Sequence, residues 1–179
     1  MKNVCNFSGT EKTEQVAAHA TQSLNGIVQT GENQKVGTYY NWYTATMGSV
    51  PSSAGQKEAD EDICPTNWHL PNYNAVSGSW MYLIRDTYGF ISSQGSQTDN
   101  RINNLLHQFP FSLPYGGYVN RTTGGWGNRS THGYFWSEGA NSGSLARYLD
   151  FYGATVRPED NYYKTYGYPV RCVASQVSN

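Results

Sequence analysis

The 179-residue sequence predicts an α+β domain, with helices first and short strands last. Three observations point to it. Apolar residues at helical spacing occur only before residue 109. Short aromatic runs with alternating polarity begin near residue 133. Glycine, proline, serine and asparagine punctuate the remainder, which excludes an all-helical bundle.

The elements follow in order. Residues 8–25 read as a helix, with Ser8 or Thr10 able to cap and Glu11 and Glu14 in the first turn, where the helix dipole favours them. Val16, Ala17, Ala20 and Leu24 form its apolar stripe, and Gly26 is its stop. Residues 36–47 read as an aromatic, Thr-rich strand with its flanks, between Gly37 and Gly48. A polar loop over 48–60 runs into the acidic stretch Glu58-Ala59-Asp60-Glu61-Asp62. A second helix follows Trp68-His69-Leu70-Pro71. Trp80, Leu83 and Ile84 form its buried face, and Gly89 ends it. A third, short helix is expected over 98–108, capped by Thr98 or Asp99, with Ile102, Leu105 and Leu106 inward. Four strands are then expected, at 133–137, 145–151, 154–157 and 168–173. In the second, Leu145, Arg147, Leu149 and Phe151 share one face. Ala146, Tyr148 and Asp150 share the other, which is expected to be the outer one.

Composition narrows the function. Leu, Ile, Val and Phe fall below the roughly 20% at which disorder becomes a concern. Disorder also needs high net charge, and here it is −1. The 15 Tyr and 5 Trp replace the missing aliphatics, burying large area while keeping a polar edge. A pI near 6.4 gives no basic footprint, so nucleic acid is not an expected partner. No apolar run reaches the ~18 residues of a membrane span. Met1 to Asn6 lacks the apolar core of a signal peptide. Cysteine usage suits an oxidising compartment, so the expectation is an extracellular or cell-surface protein whose export signal lies outside this segment. Cys5 is left over, as a free thiol or with a partner elsewhere.

Catalytic and metal motifs are weak. His19, His69, His107 and His132 are scattered, and none sits in a nucleophile–base motif. The 58–62 acidic run lacks the alternating ligands and central glycine of a calcium loop and reads as a solvated turn. No cofactor is expected, with a structural calcium left open. The chain reads as a single domain over 36–174, with an N-terminal helical segment at 1–35 packed on it and a tail at 175–179.

An ordered set of motifs carries a resemblance. They are Tyr39-Tyr40-Asn41-Trp42-Tyr43, Asp62-Ile63-Cys64-Pro65 with Trp68-His69-Leu70-Pro71, Gly117-Tyr118, Gly133-Tyr134-Phe135-Trp136-Ser137, and Gly167-Tyr168-Pro169-Val170-Arg171-Cys172-Val173. Together they resemble the Fibrobacter succinogenes major paralogous domain, in the formylglycine-generating-enzyme-like branch of the C-type-lectin-like fold. The resemblance implies two to three helices, a small antiparallel sheet and long loops. It also implies a disulfide between Cys64 and Cys172. The calcium-binding Glu-Pro-Asn and Trp-Asn-Asp signatures of sugar-binding C-type lectins are absent, and Pro158-Glu159-Asp160-Asn161 echoes the first only in the wrong order. A copper-dependent oxidoreductase role like that of formylglycine-generating relatives would need a cysteine pair free of the bridge.

The stretch 126–171 also resembles the diversified region of variable proteins from diversity-generating retroelements. Such a region alternates framework residues with polar and aromatic ones of scattered type. The resemblance and the paratope-like composition together imply a non-catalytic binding face over 126–166 for a protein or cell-surface ligand. Tyr148, Asp150, Tyr152, Tyr162 and Tyr163 are its expected centre. Trp126, Arg129, His132, Asn141, Ser142, Asp160 and Tyr166 are its expected surround. The alternative is a structural or adhesive surface module without a defined ligand.

Overall fold

The computed structural model describes residues 38–49, 56–73, 77–89, 96–108 and 110–174. The helix expected over 8–25, Cys5 and the tail from 175 lie outside the described residues.

The first element corrects the expected strand over 36–47. Strand β1 is only Tyr39–Tyr40, and a one-turn helix, α1, follows at Trp42–Ala45. Asn41 causes the switch: its Oδ1 accepts the Thr44 N–H at 2.8 Å and caps the turn. Every residue of α1 is buried, so packing holds a segment whose β-branched and aromatic residues otherwise favour a strand. Strand β2 (Lys57–Glu58) comes from the acidic loop, and β3 (Trp68–His69) follows Cys64. Between them the Asp62 carboxylate accepts the Cys64 N–H at 2.7 Å and the Leu70 N–H at 2.9 Å. One member of the acidic run is thus a turn-former.

Helix α2, Trp80–Tyr88, keeps the expected buried turn and glycine stop but begins well after Pro71, and the expected apolar position Val76 lies outside the described residues. Ser79 caps it, Trp80 and Ile84 are fully buried, and Gly89 ends it at φ +71. The third helix is shorter than expected. Thr98 belongs instead to strand β4 (Gln97–Thr98), and α3 spans Ile102–Leu106. Asp99 spends its carboxylate on the Arg101 N–H and guanidinium rather than on a helix cap.

Strands β5 (Tyr118–Val119) and β6 (Trp126–Gly127) form a hairpin. The long strands are β7 (Gly133–Ala140), β8 (Leu145–Tyr152) and β9 (Thr155–Tyr163). The strand expected at 154–157 continues past Pro158 because the β8–β9 register shifts there, between the Tyr148↔Asp160 and Asp150↔Arg157 pairs. A bulge accommodates a proline that cannot donate to the ladder. The strand expected at 168–173 is two. β10 (Tyr168–Pro169) pairs with β1, and β11 (Val173–Ala174) pairs with β3.

The sheet β2-β7-β8-β9-β4 is antiparallel, and core packs on both of its faces. Phe135, Leu149, Phe151 and Val156 meet Trp80, Met81, Ile84 and Leu106 on one side. Tyr134, Trp136, Ala146 and Tyr148 meet Trp42, Tyr43, Leu70 and Tyr168 on the other. Each such side chain contributes about 1.5–3 kcal/mol on full burial. Two indoles lock the second layer: Trp42 Nε1 donates to Ser137 O at 2.9 Å, and Trp136 Nε1 to Tyr40 O at 2.8 Å. Cys64 and Cys172 are bonded across 108 positions and tie β11 to the chain entering β3. Closing a loop of that length contributes about 4–5 kcal/mol in the chain-entropy model.

Candidate functional site

A single pattern of tyrosines builds the site. Tyr134 and Trp136 on β7 share a sheet face with Tyr148 and Asp150 on β8 and with Asp160 and Tyr162 on β9. Alternation had assigned Tyr148 and Asp150 to one face correctly, but that face is not the outer one. Tyr148 is 5% and Asp150 3% exposed: β10 and α1 pack over Tyr148, and Asp150 is ion-paired with Arg157. The expected exposed centre is therefore corrected: these two residues lie beneath the surface.

They lie beneath a pocket of about 210 Å³. Tyr134, Tyr148 and Tyr168, all buried, form its floor, with ring centroids 5.0–5.8 Å apart. Tyr118 and Tyr166, half-buried and 5.5 Å apart, form a wall. Asn128 and the exposed Tyr162 complete the rim. The tight β5–β6 hairpin brings the wall in: Asn120 Oδ1 accepts the Thr122 and Thr123 N–H groups at 2.8 and 3.2 Å, an Asx-type turn. Gly127 is needed there, since a Cβ on it would run into the Tyr118 ring. Asn128 follows at φ +54, a conformation asparagine tolerates, and its Nδ2 donates to the Tyr134 hydroxyl at 2.7 Å. Asn120 Nδ2 donates to Tyr166 at 3.3 Å.

Charges lie behind the floor. The Tyr148 hydroxyl donates to Asp160 Oδ2 at 3.3 Å. Arg157 bridges Asp150 at 3.0 Å and Asp160 at 3.5 Å, and donates to the Tyr152 hydroxyl at 2.9 Å. Burial raises Asp150 to about 6, with Arg157 opposing and Asp160 adding. Burial, then Asp160 and Asp150, pushes Tyr148 up. Burial raises Tyr134 to about 12 against the Asn128 hydrogen bond. The Tyr134 and Tyr148 phenols therefore stay protonated at neutral pH and act as hydrogen-bonding groups.

The expected residues divide into four groups. Tyr148, Tyr162 and Tyr166 line the pocket, and Asp160 and Asp150 underlie it. His132 and Tyr152 sit at the far end of the same face, stacked at 4.4 Å. Burial, then Arg157, pushes the His132 pKa down, and Thr131 Oγ1 lies 3.0 Å from its Nδ1. Trp126 and Arg129 lie apart on the hairpin, with the guanidinium 4.7 Å above the indole and Tyr39 edge-on below. Tyr163 packs against Tyr162 and Tyr166 at the rim and carries Arg121 at 4.4 Å on its ring. Asn141 and Ser142 form the β7–β8 turn, where their N–H groups and the Ser142 hydroxyl are engaged with Leu145. Sequence reasoning missed Tyr118, Asn128, Tyr134 and Tyr168 as site residues. The signal was present for Tyr134, which alternates with Trp136 in the strand next to Tyr148.

Among the described residues no group of three or more His, Cys, Asp or Glu is placed to hold a metal ion. No described helix is long and apolar enough to cross a membrane. No curated protein and no solved structure matches the chain. A family model does match, over residues 2–174, and so takes in most of the segment 1–35 that the sequence sets apart. With its motif order and its Cys64–Cys172 bond, the chain belongs to the Fibrobacter succinogenes major domain family.

Proposed function

We propose that this is a non-catalytic binding domain of a bacterial surface protein, with a C-type-lectin-like fold and the tyrosine pocket as its ligand site. One observation carries the reading: six tyrosines and one asparagine converge on a cavity, in a chain whose remaining long aromatics are mostly consumed by the core. Tyrosine supplies large, rigid contact area with a polar tip and little entropy cost, which suits recognition. Fixed floor residues under a rim of partly exposed side chains also suit a surface whose outer residues change while the frame stays. We extend the proposal to diversification by a retroelement on that ground. Trp136 and Lys164, which adenine-directed change at Asn-type codons cannot produce, are fully buried in the frame.

The test uses an array of glycans and bacterial or host surface proteins, probed with wild type and with a Tyr162→Ala, Tyr166→Ala double variant. Binding to a defined spot that the double variant loses, at unchanged melting temperature, supports the reading. Equal binding by both removes the pocket from the function. For diversification, the neighbouring DNA should hold a reverse transcriptase gene and a near-copy of the 3′ coding end. Without them that extension fails.

A further inference from the structure

The pocket also has a size and a charge, and together they narrow the ligand. Its 210 Å³ is below the roughly 300–1,000 Å³ of sites for drug-sized molecules, so it takes the end of one side chain or one sugar ring. Two carboxylates, Asp150 and Asp160, stand behind Tyr148 with a single guanidinium, Arg157, between them. Asp150 Oδ1 is buried and has no hydrogen-bond partner among the described residues. The ion cluster is thus one positive charge short. Because Tyr148 donates its proton to Asp160, its oxygen is left as an acceptor. Among the described residues no cationic side chain lines the cavity: the lining is tyrosine and asparagine.

The neighbouring surface shows what these rings accept. Arg121 rests 4.4 Å over Tyr163, Arg129 4.7 Å over Trp126, and Arg157 5.3 Å over Tyr152. Guanidinium groups on aromatic faces recur over the molecule, Arg85 over Tyr82 at 3.7 Å included, and Arg121 on Tyr163 places one at the pocket rim; each is an attractive cation–π arrangement. A carboxylate ligand would be repelled by Asp150 and Asp160 behind Tyr148. A neutral sugar could use the phenolic hydroxyls but would leave the carboxylate pair undercompensated.

We propose that the pocket receives the guanidinium or ammonium terminus of a basic side chain, arginine or lysine, presented by a protein partner. The proposal rests on the pocket being the binding site. The cation would sit among the phenol rings, accept no proton, and be drawn by the surplus carboxylate through the Tyr148 floor. Peptide specificity would then come from the variable-looking rim around Tyr162, Tyr163 and Tyr166.

The experiment titrates the full chain, with isotope-labelled tyrosine rings observed by NMR, against N-acetyl-arginine methylamide and N-acetyl-lysine methylamide. N-acetyl-citrulline methylamide, the neutral isostere, and methyl galactoside are the controls. The expected result is saturable shifts with the arginine or lysine probe and affinity for citrulline at least about tenfold weaker. The cation affinity should also fall several-fold between about 50 and 500 mM salt. Asp160→Asn should weaken the cation probe and leave citrulline unchanged, and the salt and isostere comparisons on wild type stand even if that variant folds poorly. Equal binding of citrulline, or tighter, salt-independent binding of the galactoside, overturns the cation assignment while leaving the pocket as the binding site. No shift with either cation at about 50 mM overturns it as well. An array ligand that needs Tyr162 and Tyr166 but carries no basic group would do the same without touching the function proposed above.

Discussion

Tyr148 and Tyr162 are two pocket tyrosines with opposite structural duties, and truncating each to alanine separates them. Tyr148 is 5% exposed and packs against Tyr134 at 5.8 Å, Tyr168 at 5.0 Å and Trp136 at 6.1 Å. Removing a buried aromatic ring costs about 3–5 kcal/mol, the transfer loss plus the cavity left behind. At roughly 2–4 °C per kcal/mol for a chain of this size, Tyr148→Ala should lower the melting temperature by about 6–20 °C. Tyr148→Phe keeps the ring and loses only a long hydrogen bond to an acceptor that Arg157 also holds, a loss of about 0.5–1.5 kcal/mol. Tyr162 is 40% exposed and packs on the neighbouring rim rings of Tyr163 and Tyr166, so Tyr162→Ala should cost less than about 1 kcal/mol. Thermal melts followed by near-ultraviolet circular dichroism, with urea titrations for the free energies, read all three. A Tyr148→Ala protein as stable as wild type would show that the ring is not part of the core. A Tyr162→Ala protein as unstable as Tyr148→Ala would show that the rim is.

Three further outcomes follow from the same geometry. Replacing Cys64 and Cys172 together with alanine should cost about 4–5 kcal/mol, or roughly 10–20 °C, and raise the urea m-value as the unfolded chain expands, whereas a change under about 1 kcal/mol would contradict the loop-closure estimate. Burial, then Glu58 and Asp62, raises Glu138 to about 8. Its protonated form is therefore favoured in the native state, and its contribution to stability is complete below about pH 4.5 and lost as pH climbs through 8. Melts from pH 5 to 9 should show that decline in wild type and a flatter curve in Glu138→Gln; identical profiles would assign the decline elsewhere. Gly127→Ala should push the Tyr118 ring off the pocket wall, visible as altered Tyr118 ring shifts in NMR, and an unmoved ring would contradict the close approach.

The helix at Trp80–Tyr88 was legible because everything that defines it is local: a serine cap, apolar positions at i, i+3 and i+4, and a glycine stop. The cysteine clasp was legible through the motifs around each sulfur. The partition of strand 145–152 into two faces was legible for the same reason, since a strand alternates whatever covers it. What covers it was not. Tyr148 is buried by Trp42, Tyr43 and Tyr168, more than a hundred residues upstream in one direction and about twenty downstream in the other. The polar character of Tyr148 and Asp150 suggested solvent; hydrogen bonds to Asp160 and from Arg157 take its place. Pro158 ended the expected strand because a proline breaks a regular ladder, and a bulge is not visible from one sequence. Asn41 was a readable helix cap, hidden in a run whose composition favours a strand.

The most direct measurement is where a ligand touches the chain. With tyrosine rings selectively labelled and the first ligand retained on the surface array added to saturation, ring shifts in NMR should move most at Tyr118, Tyr134, Tyr162 and Tyr166, with Tyr82 and Tyr88 across the molecule unchanged. Shifts centred on Trp126 and Tyr39, or spread over Tyr82 and Tyr88, would contradict the assignment of the tyrosine pocket as the binding site.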